Sequence, residues 1–334
     1  MKYEDMIKKE ISNYQEITEV HELPSSYHYV SNKYITKLLE DELGVKNFED
    51  LLFKQIVEIK KIKKEEQIHI LSLGSGNCDF ELNFAKDRDI KCIFHCFEIS
   101  PFMLKRGDER ARKLNLSTHF NFIESDVNKL NLDRKYDIIA VNHALHHFVE
   151  LEHIFKEISN SMEDHSVFVT NDMIGRNGHM FWEPTLDLTN RIWAILPKEL
   201  KYNHQHKKYY PERIQWDCSN DDLEGIRAQD ILPLLDQHFN FTVFGTFFSL
   251  VNRFIDRDFG PNFDPSNKLH TSILDMIWEL DDFCLRNKIL KPTQMIAAMV
   301  KKNVKVENKK FTYFEDPKEA YKIDDTRFYD LFTL

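Results

Sequence analysis

Two short polar stretches hold residues whose types and spacing suit proton transfer. NHALHH spans Asn142 to His147, with His143, His146 and His147; NDMIGRNGH spans Asn171 to His179, with Asp172, Arg176 and Asn177. Histidine is the side chain best poised to accept a proton near neutral pH. His143 and His146 are therefore the first candidates for a general base, with Asp172 and His179 next. Arg176 and Asn177 are the candidates for contact with an acceptor, and Arg176 suits an acidic one. The competing reading is ordinary packing with satisfied ring nitrogens. His143, His146, His147, Asp172 and His179 could also converge on a metal. No H-E-x-x-H or cysteine pair accompanies them, so no metal is assigned.

A third stretch, ILSLGSGNCDFE from Ile70 to Glu81, reads as a strand, a glycine turn and a helix start. Glycine is scarce, 9 in 334 residues, against a usual share of about 7%. Gly74, Gly76, Gly175 and Gly178 place nearly half of that supply in two turns. A dinucleotide turn wants G-x-G-x-x-G, but Asp79 holds the third glycine's place, where a carboxylate would repel a pyrophosphate. A phosphate loop is excluded because no Gly-Lys-Ser/Thr follows. Glu98 ends the next strand, 22 residues after Gly76, where a carboxylate can take both ribose hydroxyls. Asp126, in FIESDVNKL, ends the third, where it can accept from an adenine amino group. Either could instead be a helix cap. Together they describe an adenosine site with no place for phosphate, which suits S-adenosylmethionine.

The elements that must position these residues follow from periodicity. Residues 1–66 read as helices, expected to act as a lid. Over 67–177, QIHILSL, IKCIFHCFE, THFNFIES, YDIIAVN and SVFVTND read as strands alternating with helices. Ser100 and Pro101 begin one of those helices. Continuously apolar strands in such an order imply a parallel sheet covered on both faces, with ligands at the strands' carboxyl ends. Residues 178–237 read as a helical insertion capping an acceptor, 238–302 as the final strands and helix, and 303–334 as a charged tail.

LSLGSGNCDFE, FHCFEISPFML, FIESDVNKL and YDIIAVNHALHHF resemble four successive motifs of the class I S-adenosylmethionine-dependent methyltransferases. The resemblance implies a Rossmann-like, seven-stranded, mostly parallel sheet with helices on both faces. It implies that Gly74, Ser75, Gly76 and Asn77 lie along the methionine end, with Asn142 near it. Glu98 and Ile99 would serve the ribose, and Asp126 with the Val127 backbone the adenine. Two departures stand out: Ser72 where the family often has an acidic residue, and Cys78 where it often has a glycine. NDMIGRNGHMFW, KYNHQ, WDCS, EGIRAQDILPLL, RDFGPNF and KPTQMI further resemble a bacterial subgroup associated with small-molecule or sugar-type acceptors.

Composition agrees with that class. A net charge of −10 argues against a nucleic-acid partner. No run of 18 or more apolar residues marks a membrane span, and the five cysteines lack a framework spacing. The expectation is a cytoplasmic enzyme, monomer or homodimer, that methylates oxygen or nitrogen of a small-molecule acceptor. The alternatives are an adenosyl-ligand-binding protein without transfer activity and a protein methyltransferase.

Overall fold

The computed structural model describes residues 3–16, 22–64, 67–88, 92–220 and 223–332. Parts of the expected 1–66 segment, residues 17–21 among them, lie outside the described residues. The chain opens with α1 (Tyr3–Glu16), α2 (Ser25–Val30), a π-helical turn (Ser31–Ile35), α3 (Thr36–Leu43) and α4 (Phe48–Lys63). Strand–helix alternation follows: β1 (Ile68–Leu73), α5 (Asp79–Arg88), β2 (Cys92–Glu98), α6 (Pro101–Lys113), β3 (Phe120–Glu124), β4 (Tyr136–Asn142), α7 (Leu151–Asn160) and β5 (Met162–Met173). Then come α8 (Glu183–Ile195), a small hairpin of β6 (Tyr202–Asn203) and β7 (Lys208–Tyr209), α9 (Ala228–His238) and β8 (Phe239–Phe247). The chain closes with α10 (Asn252–Ile255), α11 (Lys268–Arg286), β9 (Gln294–Lys301), β10 (Lys310–Phe311), α12 (Pro317–Tyr321) and α13 (Thr326–Phe332).

The main sheet has the order β10-β8-β9-β5-β4-β1-β2-β3, with β9 antiparallel to both its neighbours. Its strands are apolar on both faces because two cores need them. Ile68 and Ile70 of β1 belong to one core, with α4, α5 and α11; Leu71 and Leu73 belong to the other, with α7 and α9. Local signals set the helix ends. Asn47 caps α4 by accepting from the Asp50 amide at 2.9 Å, and lysines close its last turn. Ser100 caps α6 with Pro101 at its first position.

Three expectations change. The sheet has eight strands rather than seven, because Lys310 and Phe311 pair in parallel with Val243 and Phe244 of β8. The expected tail is therefore part of the fold, with Phe314 and Phe328 buried. The 178–237 insertion is mixed rather than helical, and its last helix, α9, packs on α7 and β8 as part of the core. Most of the amino-terminal segment expected as a lid belongs to the core, since α4 packs on β1, β4 and β5 and α3 buries Leu38, Leu39 and Leu43.

Phe328 is fully buried, so Phe328→Ala is expected to cost about 3–5 kcal/mol in a urea unfolding titration. A midpoint unmoved from wild type would mean that α13 is only loosely docked.

Candidate active site

A cavity of about 330 Å³ opens at the carboxyl ends of β1, β2 and β4, where the strand order reverses between β1 and β4. Gly74 takes φ +64°, and a Cβ there would meet the Ala144 Cβ at 2.8 Å and the Phe148 ring at 3.3 Å. The turn thus needs glycine both for its conformation and for the close approach of the loop after β4. Cys78, at the place of the resembled family's third glycine, adopts the same left-handed region at φ 55°. A thiol side chain there accepts a strain that glycine would avoid.

The structure brings Gly74, Ser75, Gly76 and Asn77 around this cavity, together with Glu98, Ile99, Asp126, Val127 and Asn142. Glu98 is buried and accepts from the Gly76 amide and the Ser100 amide, each at 2.9 Å. It braces the glycine turn against β2, and burial pushes its pKa up despite those amides. Asp126 caps the turn that follows by accepting from the Asn128 amide at 3.0 Å. It also accepts from the Tyr3 hydroxyl at 2.7 Å, and Ile7 lines the cavity, so α1 lies across this opening.

Sequence reading missed Glu81. From the first turn of α5 it reaches back under the glycine turn, where the Ser72 hydroxyl donates to its Oε1. Its other oxygen, Oε2, is buried without a hydrogen-bond partner, and both Ser72 and Glu81 line the cavity. Burial pushes its pKa up to about 7, against the Ser72 hydrogen bond that lowers it. The absence of an acid at position 72 was visible in the sequence; a carboxylate supplied from the next helix was the signal that could have completed it.

The histidine loop divides into groups that face the cavity and groups that do not. His143 sits at φ 51°, exposed to the cavity, with Asn171 Nδ2 2.9 Å from its Nε2. The crowd of protein around it desolvates the ring and holds its pKa below the ordinary value, and His146 and Arg257 push the same way. His147 also lines the cavity; burial pushes it down to about 4. His146 is 3% exposed and lies behind them, its Nδ1 2.6 Å from Asp172 Oδ1. Burial alone would lower its pKa, but the Asp172 carboxylate outweighs burial and raises it.

Asp172 does not reach the cavity. It is fully buried and accepts from the Ala144 and Leu145 amides at 2.9 and 2.8 Å, besides the His146 ring. Burial pushes its carboxyl up, yet His146, His143 and the Leu145 amide hold it below the usual range. The expectation of Asp172 as a base therefore gives way to a bracing role. His179 Nε2 lies 2.8 Å from Glu224 Oε1, and Glu224 in turn approaches His146 and His147 at 3.6 and 3.5 Å. Burial pushes Glu224 up, but His179 and the other two rings bring it down to about 2. Glu224 lies in the quoted run EGIRAQDILPLL, yet periodicity gave it no role, because it stands in the irregular chain before α9.

Arg176 and Asn177 do not line this cavity. Arg176 donates to the Phe181 carbonyl and pairs with Glu183 at 3.0 Å, while Asn177 bonds the Gln229 amide at 3.1 Å. Both fasten the turn after β5. A second cavity of about 240 Å³ opens in the insertion, lined by His179, Phe181, Tyr210, Arg213, Trp216 and Arg253 among others. Arg213 lies over the Phe259 ring at 4.1 Å and pairs with Asp256 at 3.1 Å.

A family model described as a methyltransferase domain matches residues 64–230. The chain is similar in structure to geranyl diphosphate C-methyltransferase from Streptomyces coelicolor A3(2), solved with Mg2+, geranyl diphosphate and S-adenosyl-L-homocysteine. The two are 11% identical over 89% of this chain and 98% of that one, with a TM-score of 0.45. It is also similar to the O-methyltransferase of a trans-AT PKS multienzyme of Brevibacillus brevis, solved with S-adenosyl-L-homocysteine. Here the identity is 14% over 94% of this chain and 91% of that one, with a TM-score of 0.44. No curated protein matches in sequence. No helix among the described residues is long and apolar enough to cross a membrane.

Glu81 generates a pH-dependent stability. Its folded pKa of about 7 lies above the unfolded value of 4.5, so its contribution is fully present below 4.5 and is lost as pH rises through 7. Glu81→Gln is therefore expected to stabilise the ligand-free protein above pH 7, by up to about 3 kcal/mol, and to give no gain below about pH 4.5. Denaturant titrations at pH 4.5, 6 and 8 check this; equal gains at all three would mean that Glu81 does not titrate in this range.

Proposed function

We propose that this chain, which belongs to the S-adenosylmethionine-dependent methyltransferases of the class I fold, methylates an oxygen or nitrogen of a small-molecule acceptor. The observation that carries the reading is the charge of the cavity. Among the described residues its lining includes Asp79, Glu81, Glu98 and Asp126 and no lysine or arginine. Such a wall fits a cationic adenosyl ligand and opposes a phosphate-bearing one. When bound, S-adenosylmethionine supplies an electrophilic methyl group on a sulfonium.

The chain's own residues then do three things. Glu81 Oε2, buried and unpartnered, takes the donor's α-ammonium, which restores an acidic partner despite Ser72. Glu98 and Asp126 face the ribose and adenine, and Gly74, Ser75, Gly76 and Asn77 give the methionine part close backbone approach. His143 accepts the acceptor's proton, because it is the member of the His143–His146–Asp172–His179 set that is exposed to the cavity and lines it. Its depressed pKa keeps it in the neutral form that can do so. The body of the acceptor belongs on the side of the second cavity, and a first cavity of about 330 Å³ is of small-molecule size. Sugar-type or natural-product acceptors are the class to screen.

Calorimetry is expected to show micromolar binding of S-adenosylmethionine and none of NAD; the reverse would sink the reading. Affinity should tighten as pH rises toward 7, where Glu81 sheds its proton, and Glu81→Gln should weaken binding by about 1.5–3 kcal/mol and flatten that dependence. Unchanged affinity in the variant would remove Glu81 from the site.

His143→Ala is expected to keep cofactor affinity while the rate falls by roughly 10²–10⁴. Because its pKa is depressed, the wild-type rate should stay level through neutrality and fall only below the ordinary histidine value. Asp172 and Glu224 oppose that depression, whereas desolvation, His146 and Arg257 drive it. A variant within threefold of wild type would place the base elsewhere. The acceptor itself is sought by incubating cell extract with labelled donor and identifying the labelled product; label found only in protein would overturn the small-molecule assignment.

A further inference from the structure

Three groups converge where the loop after β4, the turn after β5 and the chain before α9 meet. One ligating atom each from His146, His179 and Glu224 lies within 4.8 Å of the others. Glu224 Oε1 stands 2.8 Å from His179 Nε2 and 3.6 Å from His146 Nε2. Donors about 2.0–2.2 Å from one tetrahedral ion stand roughly 3–3.5 Å from each other, so the two Glu224 distances already suit a shared ion, and the two rings, within 4.8 Å, need to close by no more than about 1–2 Å.

We propose that His146, His179 and Glu224 form a site for a divalent transition-metal ion of the zinc type, with Asp172 as its outer partner. Three features beyond proximity support it. The Asp172 carboxylate holds His146 through Nδ1, which leaves Nε2 as the free ring atom on the side of Glu224. A carboxylate on the far nitrogen of a metal-binding histidine fixes its tautomer and raises its basicity. The His179 ring is seated by backbone as well: a Cβ on Gly225, at φ +67°, would come within 3.0 Å of its Cε1. Gly225 also accepts from the Gly178 amide at 2.8 Å, which ties the Glu224 segment to the turn bearing His179.

Two imidazoles and one carboxylate are a borderline donor set that leaves a coordination position open. The site stands between the two cavities. His147 and Leu223, sequence neighbours of His146 and Glu224, line the first, and His179 lines the second. If the methyltransferase reading holds, an acceptor oxygen suits that open position. His143 is not among the ligands, so its proposed role is independent of the ion.

The test titrates the metal-stripped chain with zinc by calorimetry, with thermal melting alongside. One equivalent is expected to bind and to raise the melting temperature as zinc is added. Losing an outer partner commonly costs about 10–100-fold in metal affinity, which is the expectation for Asp172→Asn; His179→Ala, which removes a ligand, should cost about 100-fold or more. Glu224→Gln, which keeps the side chain's shape, provides the same check should His179→Ala fold poorly, and His143→Ala should bind zinc as wild type does. Absence of saturable binding by the wild type, or wild-type affinity in both ligand variants, would overturn the site and leave an ion-pair cluster. S-adenosylmethionine affinity is measured on the same stripped sample. Donor binding without zinc binding sinks the metal site alone, and zinc binding without donor binding sinks the methyltransferase reading alone.

Discussion

The buried carboxylate of Asp172 is the constraint on which the site depends. It sits at the end of β5 and takes the amides of Ala144 and Leu145 and the ring of His146 from the loop after β4. Two parallel neighbours are thereby locked at their carboxyl ends, where a sheet would otherwise fray into loops. The same bonds press Ala144 against Gly74, which shapes the floor of the cavity. They also turn His143 outward and hold His146 inward. An unpaired carboxylate at such depth would be costly; surrounded by donors it becomes a rigid joint.

Much of this was legible in the sequence, and the limits are instructive. YDIIAVN and IKCIFHCFE announced their strands because burial on both faces makes them continuously apolar. The strand-end rule gathers Gly74, Glu98, Asp126 and Asn142 at one edge of the sheet from the sequence alone. Arg176 and Asn177 were drawn in by the same rule, but a strand end fixes only where a residue starts, and theirs turn away to fasten the next segment. The roles of Asp172 and His143 were not separable by sequence position, since both lie at strand ends. Depth separates them, and depth depends on how the loops fold back. The C-terminal segment read as a tail because its charges are dense, while its buried rings, Phe314 and Phe328, are widely spaced and carry no period.

Ser72 and Glu81 show how a motif can lose a residue and keep a charge. At the end of β1 a hydroxyl stands in the acid's place, and nine positions later a carboxylate bends back to bond it. From the helix, Glu81 is buried beside Ser72. Burial raises its pKa to about 7, so its charge changes near neutrality, where a strand-end carboxylate in water would be fully ionised.

The short strand β10 bears on how the chain is made. β8 is rich in phenylalanine and forms the outer edge of the sheet until Lys310 and Phe311 pair with it and Thr312 bonds both Phe244 and Thr246. Bare edges of that composition invite pairing between chains. The covering residues follow β8 by some sixty positions, which is about 3–13 seconds of synthesis at 5–20 residues per second. During that interval each nascent chain carries an open, sticky border, and crowding on a shared messenger RNA would bring such borders together. The segment that closes the edge is thus also a guard against aggregation, and it arrives late.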